Sequence, residues 1–317
     1  MNAKVQLKIS ILAIIALVLI AIFMTIDAAG NWDYILRTRP KKILAIILTG
    51  GAIAFSTMVF QTITNNRILT PSIIGLDSLY MLFQTAIVFL GGSASFLLNK
   101  NVNFLLSIAL MVMFTGVLYK LLFKREGNNL YFLLLVGLIF GTFFQSISSF
   151  MQVLIDPNEF LRVQDKMFAS FNNVNTDLLI ISIILLALVI AYFARFTKYL
   201  DVLALGREHA VNLGIDYDYV VKRLLVVVAI LISIATALVG PITFLGLLVA
   251  NVVHEFLRTY RHKDLITGSI LISIIALVGG LLIVERVFTF STTLSVIINF
   301  IGGVYFIYLL LKEKKSW

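Results

Sequence analysis

Nine runs of 17 or more residues carry no Asp, Glu, Lys or Arg: Ile9–Ile26, Ile43–Asn66, Ser78–Asn99, Asn101–Tyr119, Asn128–Ile155, Leu178–Ala194, Leu224–His254, Leu265–Val284 and Val287–Leu311. A helix needs about 20 residues to cross roughly 30 Å of hydrocarbon. Leu224–His254 is 31 residues long and contains Gly240-Pro241, so it reads as two spans hinged at that pair. Ten spans follow. A bilayer offers the backbone no water, which leaves only helices or a closed barrel. Barrel strands alternate apolar and polar residues, whereas IALVLIAIF and LLVVVAILI do not. The expected fold is an all-α polytopic membrane protein, with one membrane domain over residues 1–317.

Composition closes off other classes. Charged residues are 13% of the chain, against about 25% in soluble domains, and no stretch between runs is long enough for a separate soluble domain. The chain has no cysteine, so it has no disulfide, thiolate nucleophile or Cys-ligated metal. Its three histidines, His209, His254 and His262, are scattered, and no metal site is expected. The first run follows Lys4 and Lys8 and exceeds the roughly 7–15 apolar residues of a cleavable signal. It is read as a retained span, although Ala28-Ala29-Gly30 would suit cleavage.

Ten spans put both termini on one side. With that side cytosolic, 17 of the 25 Lys and Arg lie inside and eight outside, as the positive-inside bias requires. The net charge of +9 is then membrane anchoring to lipid, with no nucleic-acid partner implied. Four of the outer cations, Arg37, Arg39, Lys41 and Lys42, crowd just before the second span. Long cationic side chains snorkel to interfaces; the same patch would equally dock an acidic partner.

The longest cytosolic loop contains Leu203-Ala-Leu-Gly-Arg-Glu-His-Ala-Val-Asn-Leu-Gly214. Ala210 and Leu213 recur at helical spacing between Gly206 and Gly214, which predicts a short surface helix or a plain connector. Two polar stripes lie within spans. Thr142, Gln145, Ser149 and Gln152 share one helix face, and Thr292, Ser295, Asn299 and Gly302 repeat the spacing near the C-terminus. Such groups either line a water-filled path or bond neighbouring helices in lipid. Asp77 is the carboxylate nearest a span interior, and its place at a helix start favours a capping role near the cytosolic interface.

These residues resemble the permease subunits of ABC importers for iron-siderophore complexes, heme and cobalamin, and the likeness covers most of the chain. Leu203-x-Leu-Gly-x-x-x-Ala-x-x-Leu-Gly214 resembles that family's coupling-helix motif, and Gly240-Pro-Ile-Thr-Phe-Leu-Gly-Leu247 its Gly-Pro-Ile signature. Gln61-x-x-x-x-Asn66-x-x-x-x-Pro71-x-x-x-Gly75 is similar to the stretch between its second and third spans. Arg39 with Lys42 sits where the family has Arg-x-Pro-Arg, and Gly302-Gly-Val-Tyr-Phe-Ile-Tyr-Leu-Leu resembles its closing helix. The chain departs from the pattern at Arg67-Ile68-Leu69, Ala250-Asn251, His254, Thr293 and Ser295.

The resemblance implies a second permease, the same or a different chain, two cytosolic ATP-binding subunits and an external substrate-binding protein. ATP and Mg would sit on the ATPase partner, since no G-x-x-x-x-G-K-[ST] occurs here. It implies ATPase coupling through Leu203, Leu205, Gly206, Arg207, Glu208, Ala210, Leu213 and Gly214, with the small residues allowing close approach. It implies docking of the binding protein on Arg37, Arg39, Lys41, Lys42 and Arg286, and a path along the two polar stripes. Iron-siderophore is the expected cargo, with heme and cobalamin as alternatives, in a bacterial cytoplasmic membrane. The rival from another class, an ion-coupled secondary transporter, would use ionisable groups within its spans, and these spans are nearly free of charge. A membrane-embedded enzyme would need paired carboxylates or a Ser-His set, and none lies at membrane depth.

Overall fold

In a computed structural model the described residues are 3–26, 32–91, 99–122, 130–172, 174–289 and 292–313. Every regular element among them is helical: α1 (Ala3–Thr25), α2 (Trp32–Thr64), α3 (Leu76–Gly91), α4 (Lys100–Leu122), α5 (Leu130–Leu154), α6 (Pro157–Met167), α7 (Thr176–Phe193), α8 (Thr197–Leu203), α9 (Arg207–Asn212), α10 (Tyr217–Val239), α11 (Leu245–Leu257), α12 (His262–Arg286) and α13 (Leu294–Glu313). Ten of these coincide with the ten expected spans. Seven (α1, α2, α4, α5, α7, α10 and α12) are long and apolar enough to cross a membrane, while α3, α11 and the described part of α13 are shorter apolar helices. The Ala28-Ala29-Gly30 tail lies outside the described residues.

α2 and α10 are the most enclosed spans and pack against each other at the centre, with α12 and α11 also against α2 and with α4 and α7 against α10. A soluble core is driven together by water. In lipid, close packing and hydrogen bonds must do that work, and small residues at contacts let backbones approach. The 3-10 turn Pro71–Ile74 illustrates this. It ends at Gly75, which lies against Gly137 and Gly141 of α5; a Cβ on Gly75 would sit 2.9 Å from the Gly141 Cα. Gly141 is near the middle of α5, so the chain between α2 and α3 dips deep into the bundle and α3 starts there.

Three short helices lie outside the spans. α6 opens on Asp156, whose carboxylate accepts the Asn158 N–H, with Pro157 at the first helical position and Glu159 in the first turn. Each is a favoured helix-start choice. α8 and α9 lie between α7 and α10, joined through Gly206.

Candidate functional site

The segment 195–223 holds α9 between Gly206 and Gly214, where a short helix was expected, and α8 before it. Gly206 has φ 92° and caps α9, and Gly214 has φ 81° just after it. The positive φ at Gly206 puts α9 at a new angle to α8, a turn that other residues make only under strain. Leu203 and Ala210 are fully buried beneath this element, so Ala210 supplies its inner face and not a surface for close approach. The outward apolar side chains are Leu205, Val211 and Leu213, each more than half exposed. Glu208, His209 and Gly214 also face outward. Arg207 pairs with Asp218 of α10 at 3.3 Å and lies over the Tyr217 ring, so it has a partner within the chain.

Asp201 and His262 tie this element to the bundle. Asp201, on α8, accepts the backbone N–H of His262 at 2.9 Å and its ring Nδ1 at 2.6 Å. Burial acts to raise the Asp201 carboxyl, but the two His262 hydrogen bonds and the charges of His262 and Arg261 outweigh it and hold it below the usual carboxylate range. His262 Nε2 lies 2.7 Å from Thr62 Oγ1 in the last turn of α2. Sequence reading treated His262 as one of three scattered histidines; nothing in its spacing pointed to a contact 61 or 200 residues away.

At the opposite end the four cations are not in a loop. α2 begins at Trp32, so Arg37, Arg39, Lys41 and Lys42 stand on its first three turns, with Pro40 among them. Arg39 turns inward and donates to the carbonyls of Phe23, Met24 and Ile26 at 2.7–3.1 Å, closing the C-terminal end of α1. Lys42 forms a largely enclosed ion pair with Glu285 of α12 at 3.0 Å. Arg37 and Lys41 remain exposed and, with Thr38 and Lys42, line a cavity of about 400 Å³ alongside Phe171, Asn172 and Val174. Arg286 is exposed at the end of α12. A second outer cavity, about 420 Å³, brings Lys100, Arg162, Asp165 and Lys166 over Gln84 and Asn103. Crowding by surrounding helices and the charge of Lys100 push the Lys166 ammonium below the usual lysine range, against the pull of Asp165, while its side chain still reaches solvent at the mouth.

The two polar stripes differ. On α5, Thr142, Gln145 and Ser149 are exposed, joined by Ser146, whereas Gln152 turns back to Thr85 and Ser148. On α13, Ser295 is buried and accepts the Ala169 N–H, Asn299 accepts the Phe244 N–H, and Gly302 packs against Phe244. Thr292 precedes the helix. That second stripe is therefore a packing seam within the chain, and only the α5 stripe faces outward.

Gly240, at φ 103°, ends α10, and α11 begins at Leu245. The Val239 carbonyl freed by the break accepts the Ser170 N–H. Asp77 accepts hydroxyl hydrogen bonds from Thr236 and Thr243, one on each side of the break, at 3.3 and 3.2 Å. Its depth beside the middle of α5 and these partners replace the expected cap at the cytosolic interface with a cross-link. Two departures from the family pattern also meet. The Arg67 carbonyl accepts from Gln61 Nε2 at 2.6 Å and from Asn251 Nδ2 at 3.1 Å.

Comparisons with known proteins bear on the chain as a whole. The chain is 68% identical over 313 residues to the petrobactin import system permease protein YclO of Bacillus subtilis (strain 168), covering 98% of this chain and 99% of that protein. It is 37% identical over 282 residues to the petrobactin import system permease protein FatC of Bacillus anthracis, covering 88% and 79%. A solved structure described as an inward-facing metal-chelate type ABC transporter superposes with a TM-score of 0.84 at 19% identity, covering 97% of this chain and 99% of that one, and so shares its fold. The sequence profile of the FecCD transport family matches residues 5–312, and the chain is a member of that family.

Proposed function

We propose that this chain is one permease subunit of an ATP-driven importer that carries a ferric siderophore, petrobactin or a close analogue, across a bacterial cytoplasmic membrane. The observation that carries the reading is the 68% identity, sustained over 98% of the chain, to a petrobactin import permease. The path runs beside the exposed Thr142, Gln145, Ser146 and Ser149 of α5. Four polar side chains on one face of a membrane helix are costly against lipid and at home against water or a partner subunit. A second permease, here a different chain, completes that path. ATP and magnesium bind on cytosolic partners that contact Leu205, Val211 and Leu213. An external binding protein delivers the chelate to Arg37 and Lys41. The wall carries no charge, so it passes a bulky ligand without holding it, and selectivity rests on the external protein.

The test is uptake of radiolabelled iron as ferric petrobactin by cells lacking their own petrobactin permeases. Expression of this chain with its partner subunits restores uptake, and omission of the ATPase abolishes it. Uptake that survives without the ATPase, or restored uptake of heme or cobalamin instead, overturns the proposal.

A further inference from the structure

We infer that Thr62, Asp201 and His262 form a three-helix latch that conveys displacement of the α8–α9 element to α2 and α12. They act as positioning residues for coupled transport. The inference rests on reading α8–α9 as the ATPase contact. His262 is the first residue of α12 and is 95% buried. A helix start needs only an acceptor for its free N–H groups, and Asp201 supplies one at 2.9 Å. The ring does more. Its Nδ1 reaches the same carboxylate at 2.6 Å, and its Nε2 reaches Thr62 on a third helix at 2.7 Å.

Both ring nitrogens have a partner. The Thr62 hydroxyl sits between the Met58 carbonyl, at 2.8 Å, and His262 Nε2, at 2.7 Å, and shares a hydrogen bond with the ring. Asp201 is an acceptor toward Nδ1–H. Each ring nitrogen is thus engaged, one by the Asp201 carboxylate and the other by the Thr62 hydroxyl. The ring is a rigid strut between α8 and α2, and its backbone is the first turn of α12. α2 in turn runs through the centre of the bundle to the exposed Arg37 and Lys41 at its other end. A pull on α8 reaches the outer face along one continuous helix.

The experiment uses the complete importer in proteoliposomes and records chelate uptake and ATP hydrolysis together, with Thr62→Val, Thr62→Ser, Asp201→Asn and His262→Gln. Thr62→Val keeps side-chain shape and removes only the hydroxyl. It and Asp201→Asn are expected to lower uptake per ATP hydrolysed by roughly tenfold, the equivalent of about one hydrogen bond. The ATPase stays bound and hydrolysis stays within about twofold. Thr62→Ser restores the ratio. An unchanged ratio in Thr62→Val and Asp201→Asn, or an uptake loss matched by lost hydrolysis or lost protein, overturns the latch. Leu213→Glu tests the underlying reading separately: an ATPase that still binds this variant refutes the docking surface, while the ratio in the latch variants still decides the latch.

Discussion

Arg39 spends its guanidinium on three carbonyls at the end of α1, while Arg37 and Lys41, two residues to either side, face water. Neighbouring cations of one patch therefore divide into structural and free ones. Arg39→Ala is expected to cost about 1–2 kcal/mol, since charged hydrogen bonds are worth more than neutral ones but this one is partly solvated. Lys41→Glu should leave the thermal midpoint alone and weaken capture of the binding protein. Thermal unfolding and binding-protein affinity separate the two. Asp201 has a signed pH dependence. Its carboxyl lies lower in the folded chain than in the unfolded one, so its contribution is present above the ordinary Asp value of about 3.9 and is lost as pH falls through the folded value. The midpoint advantage of the wild type over Asp201→Asn should hold at neutral pH and vanish on strong acidification.

At the level of elements, the ten spans were legible because charge is excluded from hydrocarbon, and that rule needs no partner to be read. The Gly240-Pro241 break was legible for the same kind of local reason. α6 also had a local signal, Asp156-Pro157 followed by Glu159, hidden only because it lies between two apolar runs. What could not be read was orientation. Stripe spacing puts Ser295, Asn299 and Gly302 on one face but does not say whether that face meets water or Phe244. Likewise, helical spacing put Ala210 on a short helix, while the resemblance counted it among the contact residues and the fold buries it. The correction changes the useful variants. Ala210→Glu buries a charge and should unfold the element, whereas Leu213→Glu should leave it folded and reduce ATPase binding more than tenfold, read by co-purification. Gly240→Ala meets both a left-handed φ and the Ala169 Cα at 3.1 Å. It should destabilise by about 1–3 kcal/mol, measured as a lower unfolding midpoint.

For the whole molecule, the absence of cysteine makes the proposed path directly observable. Single cysteines at Thr142, Gln145 or Ser149 should react with a membrane-impermeant thiol reagent in the assembled importer, and reactivity should change when ATP is bound. Cysteines at Gln152 and Ser295, both turned into the bundle, should stay protected. Equal labelling at all five positions would mean that the α5 face is no path.

Asp77 holds Thr236 and Thr243 across the α10–α11 break. A joint fastened on both sides does not bend freely. While that carboxylate keeps both hydroxyls, the start of α3, the end of α10 and the start of α11 travel as one piece, and any displacement that reaches them arrives undivided. Release of either threonine would turn the same joint into an elbow, with the two halves of the longest apolar run free to part.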